Sequence, residues 1–141
     1  MSAFTQLANL ISYYLDDAPT LFANAAAAND RKAVDRMIGK YGQGIINKIG
    51  KNRDSALMTA AVNGNVDMVE YLLHRNADVH YHNPNGVTAL IAAGNAGQKA
   101  VYELLLKAGA DPDKKNKYGH TAAFCLKRAL SQPAAPTVTP V

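Results

Sequence analysis

The chain has 141 residues, a single cysteine and a formal net charge of +4, from 15 basic and 11 acidic side chains. Hydrophobic residues make up 48% of it and charged residues 18%, which is typical of a globular domain rather than a disordered chain. One cysteine excludes an internal disulfide framework and a cysteine-rich zinc module. The length fits one domain that can bury a core without such supports.

The charge is unevenly distributed along the chain. Residues 1–35 carry four acidic and two basic side chains, and the remainder carries seven acidic and thirteen basic ones. This basic excess permits an anionic partner, does not require nucleic acid, and also favours solubility. The sequence contains no run of eighteen apolar residues and no basic start typical of a secretion signal. We therefore expect no membrane contact and a cytoplasmic location, with export by a signal-independent route left open.

The first predicted element is a helix over residues 3–15. Phe4, Leu7, Ile11 and Tyr14 recur there at helical spacing. We expect this helix to cover the open hydrophobic face of the unit that follows it. The alternatives are a recognition element and a dimer contact.

A repeat of 33 residues organises the middle of the chain. Residues that are identical at this interval include Ala60 and Ala93, Gly64 and Gly97, Glu70 and Glu103, Asp78 and Asp111, Gly86 and Gly119, and Thr88 and Thr121. Each unit is predicted to contain two short helices and a turn. Ser55 and Thr88 can cap the first helices, and apolar residues spaced by three and four follow in the second helices. Asn85-Gly86 is a tight-turn signal between units.

These units resemble ankyrin repeats, whose pattern runs G-x-T-P-L-H-x-A-A-x-x-G-x-x-x-x-V-x-x-L-L-x-x-G-A-D. Residues 86–111 match it best and residues 53–78 next best, while residues 25–44 resemble a diverged first unit and residues 119–130 a truncated last one. The resemblance implies an all-α, ankyrin-type repeat solenoid of stacked helix pairs with projecting β-hairpin loops. The expected organisation is one domain over 1–130, made of helix 3–15, a diverged repeat 20–50, repeats 51–83 and 84–116, and a C-terminal cap 117–130.

A disordered tail is predicted over residues 131–141, which contain three prolines and no charged side chain. Its last three residues match the loose form of a carboxylate-capture peptide, a match too short to carry a function.

The sequence departs from the family pattern at three kinds of position. Alanine replaces the proline after the threonine, and apolar residues replace the histidine that ties neighbouring hairpins together: Ala56, Ala89 and Ala122, then Met58, Ile91 and Phe124. The missing histidine predicts a weaker row of hairpins. Arg53 stands where a turn glycine is expected, so we expect an irregular first hairpin.

No catalytic, cofactor-binding or metal-binding set is predicted. Cys125 lies among helical apolar residues and is expected to be a buried, inert thiol. His80 and His82 share one side of an extended segment and, with His120, are a weak metal candidate beside the favoured interpretation as a polar hairpin surface. The glycines and lysines of residues 39–51 match no phosphate-binding loop and are predicted to form a flexible linker.

A basic cluster near the C-terminus contains Lys114, Lys115, Lys117, Lys127 and Arg128, with no acidic residue among them. Three interpretations stay open: a solvated cap, a docking patch for an acidic protein, and a nucleic-acid surface.

The resemblance implies partner contacts at the hairpin tips and along the first helices. The implied residues are Lys51, Asn52 and Asp54 at the first tip; His82, Pro84, Asn85 and Val87 at the second; Lys115, Lys117, Tyr118 and His120 at the third; and Val62, Asn63, Asn95, Ala96 and Arg128 on the helices. Tyr118 is the expected binding hot spot.

The predicted function is a non-catalytic protein–protein interaction module without a cofactor. It would be monomeric when free and would act as an inhibitor, adaptor, immunity factor or effector on another protein, of which one with an acidic surface is an option. The alternative is a nucleic-acid-binding protein that uses the basic C-terminal edge.

Overall fold

The computed structural model describes residues 2–7 and 17–132 of the chain. Residues 3–7 are helical, so the described start of the predicted helix 3–15 has the predicted conformation, and residues 8–16 lie outside the described residues. Phe4 is 81% exposed and Leu7 54% exposed. These two side chains therefore do not cover the first unit. Residues 133–141 of the predicted tail also lie outside the described residues.

Helices are the main secondary structure of the described residues, and most of them form pairs. They are α1 (Ala18–Ala27), α2 (Arg31–Tyr41), a 3-10 helix (Gln43–Asn47), α3 (Ala56–Val62), α4 (Val66–His74), α5 (Ala89–Asn95), α6 (Lys99–Lys107) and α7 (Ala122–Ser131). The first helices of the units, α1, α3, α5 and α7, pack against one another in chain order, and we call them the first-helix row. Helices α2, α4 and α6 each pack against the first helix of their own unit. The predicted all-α fold of stacked helix pairs is confirmed.

The same cap starts the first helix in three successive units. The hydroxyl oxygens of Ser55, Thr88 and Thr121 accept a hydrogen bond from the main-chain N–H three residues further on, at 3.1, 3.3 and 3.3 Å. Each such bond satisfies a donor that the helix itself leaves without a partner, and it stabilises the helix by about 1 kcal/mol. The repeat therefore fixes the starting point of each helix, as the sequence predicted.

Small residues let the first-helix row pack closely. All residues of α5 from Ala89 to Gly94 are buried. A Cβ atom added to Gly94 would lie only 2.6 Å from the carbonyl oxygen of Ala122 in α7. The second helices supply larger apolar side chains to the same core, and Leu72 and Leu105 are fully buried there.

The segment between the first and second units is anchored rather than a flexible linker. Its 3-10 helix buries Ile45 and Ile46 in the core. The amide of Asn47 donates to the carbonyl oxygen of Asn76 at 2.9 Å and accepts from the N–H of Asp78 at 2.8 Å. The prediction failed because it weighed the glycines and lysines of this segment and overlooked its two adjacent isoleucines.

Two of the three hairpin loops contain an antiparallel bridge. The bridges join His82 to Thr88 and Lys115 to Thr121. Within the described residues the first loop has none, in agreement with its expected irregularity. Arg53 has a φ of 65°, in the left-handed region occupied by Gly86 at the equivalent position of the next unit.

Other residues tie the loops together in place of the family's histidine. The amide of Asn83 donates to Oδ1 of Asp54 at 3.0 Å, and the hydroxyl of Tyr81 donates to the carbonyl oxygen of Arg53 at 2.7 Å. The N–H of Lys117 donates to the carbonyl oxygen of Asn85 at 2.9 Å. Each loop is therefore bonded to the next without that histidine.

A polar cluster joins the second helices of the first two units. The Tyr71 hydroxyl donates to Oδ1 of Asp35, and the Arg31 guanidinium lies 3.3 Å from the centroid of the Tyr71 ring. The hydrogen bond from Tyr71 lowers the pKa of Asp35. Burial, followed by the hydrogen bond to Asp35, raises the pKa of Tyr71.

Candidate protein-binding surface

A groove of about 500 Å³ lies between the hairpin loops and the first-helix row. The residues that line it come from three successive units: Ala27, Asp54, Met58, Thr59, Val62, Asn63, Asn83, Val87, Ala92, Asn95 and Ala96. Six of these were predicted as partner contacts: Asp54, Val62, Asn63, Val87, Asn95 and Ala96. The structure therefore brings predicted residues of the first and second tips together with predicted helix residues.

The groove combines an apolar base with polar edges. Met58 and Ala92 are buried beneath it, whereas Val62 is 44% exposed. Asp54 is the one charged residue in the lining, and its carboxylate accepts the hydrogen bond from Asn83. The amide of Asn63 donates to the carbonyl oxygen of Thr59 at 2.8 Å, which fixes its direction. Such a groove can hold an apolar side chain while carboxylate and amide groups meet polar groups around it.

The repeat places equivalent residues at equivalent points of the groove. Val62 and Asn63 end α3, and Asn95 and Ala96 end α5. Thr59 and Ala92 lie one helical turn earlier, and sequence reasoning missed both, as it missed Met58, Asn83 and Ala27. Helical spacing of three and four residues from the predicted pairs would have found Thr59 and Ala92.

The other predicted residues of the first two tips lie outside the groove. Lys51, Asn52, His82, Pro84 and Asn85 are exposed. The main-chain N–H of Lys51 donates to Oγ1 of Thr20 at 2.9 Å, which fixes the first loop to α1. These side chains are accessible to a partner that extends past the groove.

The third tip forms a separate surface built on three rings, which we call the aromatic row: Tyr118, His120 and Phe124. The ring centroids of Tyr118 and His120 are 6.3 Å apart, and those of His120 and Phe124 are stacked at 4.4 Å. Lys117 Nζ lies 5.0 Å from the Tyr118 centroid, and the Arg128 guanidinium lies 5.8 Å from that of Phe124. Tyr118 is 69% exposed.

Two further predicted residues extend this surface, and one contact was not predicted. Lys115 is exposed beside the row, and Arg128 also donates to Oδ1 of Asn95 at 3.4 Å. This bond connects the aromatic row to the groove. Phe124 is 48% exposed and was absent from the predicted contacts. Its position one helical turn before the predicted contact Arg128 was the available signal.

Cys125 is fully buried. Burial raises the pKa of its thiol, against a smaller opposite effect of the Arg128 charge. A buried thiol with a raised pKa is a poor nucleophile.

His80, His82 and His120 do not build a metal site with other ligands. Across residues 2–7 and 17–132, no three histidine, cysteine, aspartate or glutamate side chains are placed to hold a metal ion together. Nδ1 of His82 lies 3.2 Å from the carbonyl oxygen of Asn83. In the same part of the chain, no helix has the length and apolar character needed to cross a membrane.

Stacked helix pairs, equivalent hydroxyl caps and projecting loops define a repeat protein of the helical solenoid class. The chain belongs to the ankyrin repeat family, because the family model described as "Ankyrin repeats (3 copies)" matches residues 22–124. Ankyrin repeats are protein–protein interaction modules and are generally non-enzymatic.

Curated relatives contain similar segments within much longer proteins. The chain is 35% identical over 89 residues to the rat "Ankyrin repeat and SAM domain-containing protein 6", a match that covers 62% of this chain and 10% of that protein. It is 41% identical over 66 residues to the human "Mitochondrial disaggregase", covering 47% of this chain and 9% of the relative. A "Putative ankyrin repeat-containing protein" of Treponema pallidum (strain Nichols) is 40% identical over 68 residues, covering 48% of this chain and 23% of the relative.

Proposed function

We propose that this chain occupies the surface of another protein through the groove and the third hairpin tip, without catalysing a reaction. In that role it acts as an inhibitor, adaptor, immunity factor or effector. The observation that carries the proposal is the groove itself, in which side chains of three units surround one apolar base. Assembly of a surface from successive units is the usual way in which repeat proteins bind extended partners.

The groove's chemistry defines the part of a partner that it would accept. Val62 and Val87 offer apolar contact, and Asp54 is the only charged lining residue. We propose that the groove holds an apolar side chain flanked by hydrogen-bond donors or a cation, because the Asp54 carboxylate and the amide oxygen of Asn63 are acceptors. An acidic segment would be repelled by Asp54 at this position.

The remaining predicted tip residues would form the edge of the same interface. Lys51, Asn52, His82, Pro84 and Asn85 are exposed beside the groove, and edge residues of this kind contribute little affinity individually. The proposal includes a monomeric free state and a cytoplasmic location. The single buried thiol is compatible with a reducing compartment.

A matched pair of substitutions tests the groove. Ala96 is exposed and lines the groove, whereas Ala100 is exposed on α6 and does not line it. The tagged full chain and its Ala96→Arg and Ala100→Arg variants are used as baits in extracts of the native host, with nuclease present. We expect Ala96→Arg to lose a stoichiometric protein that the wild type and Ala100→Arg retain. Equal retention by all three baits would refute the groove as the binding site.

A further inference from the structure

The C-terminal end of the array carries positive charge that the chain does not neutralise. Residues 114–132 contain five basic side chains and no acidic one. In the described residues none of the five forms an ion pair; the ion pair found there joins Arg31 to Asp35. The tail 133–141 contains no acidic side chain that could complement them. These cations are therefore available to an acidic partner.

The outer face of α7 is not built to receive another helix of this kind. Gly94 of α5 packs against the α7 backbone, where even a Cβ atom would clash. Its equivalent in α7, one repeat later, is the exposed Lys127. A long charged side chain thus stands where a following unit, or a second copy stacked in the same manner, would need a small residue.

The rings of the aromatic row are partly covered by neighbours within the chain. Phe124 has His120 stacked on it at 4.4 Å and the Arg128 guanidinium at 5.8 Å from its centroid. Lys117 lies over Tyr118. Single-stranded nucleic acids bind by stacking bases on open aromatic faces, and the stacking of His120 on Phe124 leaves less ring surface for a base. The accessible surface combines cations with apolar side chains. Lys127 and Arg128 are exposed, Phe124 is 48% exposed and Leu130 is 57% exposed.

We propose that this end face, defined as Lys117, Tyr118, Phe124, Lys127, Arg128 and Leu130, binds an acidic segment of a partner protein in which carboxylates alternate with apolar side chains. The carboxylates pair with the cations, and the apolar side chains cover Phe124 and Leu130. The inference rests on the proposed function as a protein-binding module and specifies the partner of its third-tip surface, which meets the groove at the hydrogen bond between Arg128 and Asn95. The two surfaces select opposite charges, because Asp54 makes the groove unfavourable for the same segment.

The test is fluorescence anisotropy of labelled probes titrated with the full-length chain. The probes are a peptide alternating glutamate with leucine, a peptide alternating glutamate with serine, and single-stranded oligothymidylate. We expect the glutamate–leucine peptide to bind about tenfold more tightly than the glutamate–serine peptide, because only the former buries apolar surface. The Lys117→Gln/Lys127→Gln variant and the Phe124→Ala variant should each lose about tenfold in affinity for it.

A control removes the same charge elsewhere. Lys32 and Lys99 are exposed in the first turns of α2 and α6, and the Lys32→Gln/Lys99→Gln variant should keep the wild-type affinity. Equal binding of the two peptides, or equal losses of affinity in both double variants, would mean that the peptide is held only by the overall positive charge. Either result would overturn the inference. Tightest binding of oligothymidylate would make it a nucleic-acid surface instead.

Two further outcomes would overturn the inference in other ways. Loss of the peptide in Ala96→Arg, but not in Lys117→Gln/Lys127→Gln, would place it in the groove and leave the proposed function intact. Self-association in sedimentation velocity that disappears in Lys117→Gln/Lys127→Gln would make a second copy the occupant. If Ala96→Arg retains the captured protein while the Lys117→Gln/Lys127→Gln variant loses the peptide, the groove proposal fails and the end-face inference stands.

Discussion

The substitution of glycine by alanine, made at Gly94 and separately at Gly39, tests how the helices pack. Both glycines lie within helices, Gly94 in α5 and Gly39 in α2. A Cβ atom at Gly94 would lie 2.6 Å from the Ala122 carbonyl oxygen and 3.3 Å from the Leu126 main-chain nitrogen. Both are backbone atoms of α7, so the whole helix would have to move. At Gly39 no heavy atom lies within 4 Å of the added Cβ.

The expected changes in the free energy of unfolding have opposite signs. Alanine in a helix interior is favoured over glycine by about 0.5–1 kcal/mol. At Gly39 nothing opposes this gain, so Gly39→Ala should stabilise the protein by that amount. At Gly94 overpacking costs about 1–3 kcal/mol, and the propensity gain offsets part of it. Gly94→Ala should therefore destabilise the protein by roughly 1–2 kcal/mol.

Urea unfolding followed by circular dichroism at the helix band measures both effects. The urea midpoint should rise for Gly39→Ala and fall for Gly94→Ala, with unchanged slopes of free energy against denaturant. If Gly94→Ala were as stable as the wild type, the close packing of α5 on α7 would be wrong. Lys127, at the equivalent position of α7, would then not block a stacked unit.

Three other substitutions test separate parts of the fold. Leu105→Ala should lower the free energy of unfolding in urea by about 2–5 kcal/mol, because Leu105 is fully buried. A loss below about half a kcal/mol would mean that the Leu105 side chain does not lie in the core. Asp35→Asn should flatten the acid side of a plot of Tm against pH. The hydrogen bond from Tyr71 lowers the pKa of Asp35 below its usual 3.8, so its contribution is complete above that pH and is lost as the pH falls through the lowered pKa. Equal losses of Tm in wild type and variant between about pH 5 and about pH 2 would contradict that assignment. Arg53→Gly should stabilise the protein by about 0.5 kcal/mol in thermal unfolding, because a left-handed φ of 65° costs a non-glycine residue more than it costs glycine. A lower Tm would show that the Arg53 side chain makes a contribution that outweighs the backbone strain.

Local features of the sequence were sufficient to predict the repeated fold. The caps Ser55, Thr88 and Thr121 act on N–H groups only three residues away, so a short motif contains all the information needed to place them. The apolar spacing of the second helices is equally local. The interval of 33 residues then placed the helix pairs in register without reference to any long-range contact.

Contacts between units could not be predicted in the same way. Asp54 meets Asn83 and Asp35 meets Tyr71 across intervals of 29 and 36 residues, and nothing in either local sequence identifies the partner. Without these contacts, replacement of the family's histidine seemed to weaken the hairpin row. The burial of the two isoleucines between α2 and α3 was missed for the same reason, because it depends on the neighbouring helices.

The candidate groove was predicted only in part. The helix ends at Val62, Asn63, Asn95 and Ala96 followed from the family resemblance, which locates contacts by position in the repeat. Met58 was noted only as a departure from the family pattern, although it lies under the groove. The depth and the lining of the groove depend on the distance between neighbouring units. That distance is set by the packing of the whole first-helix row.

The affinity of the captured protein partner, measured by isothermal titration calorimetry, tests the proposed binding surface most directly. The partner is first purified under nuclease treatment and moderate salt, and then titrated with the wild type, Ala96→Arg and Ala100→Arg, and with the Lys117→Ala/Tyr118→Ala variant. We expect a stoichiometric complex that Ala96→Arg and the double variant each weaken by about tenfold or more, with Ala100→Arg unchanged and helicity intact in all. Unchanged affinity in the first two variants, or recovery of only nuclease-sensitive and salt-sensitive material, would contradict it.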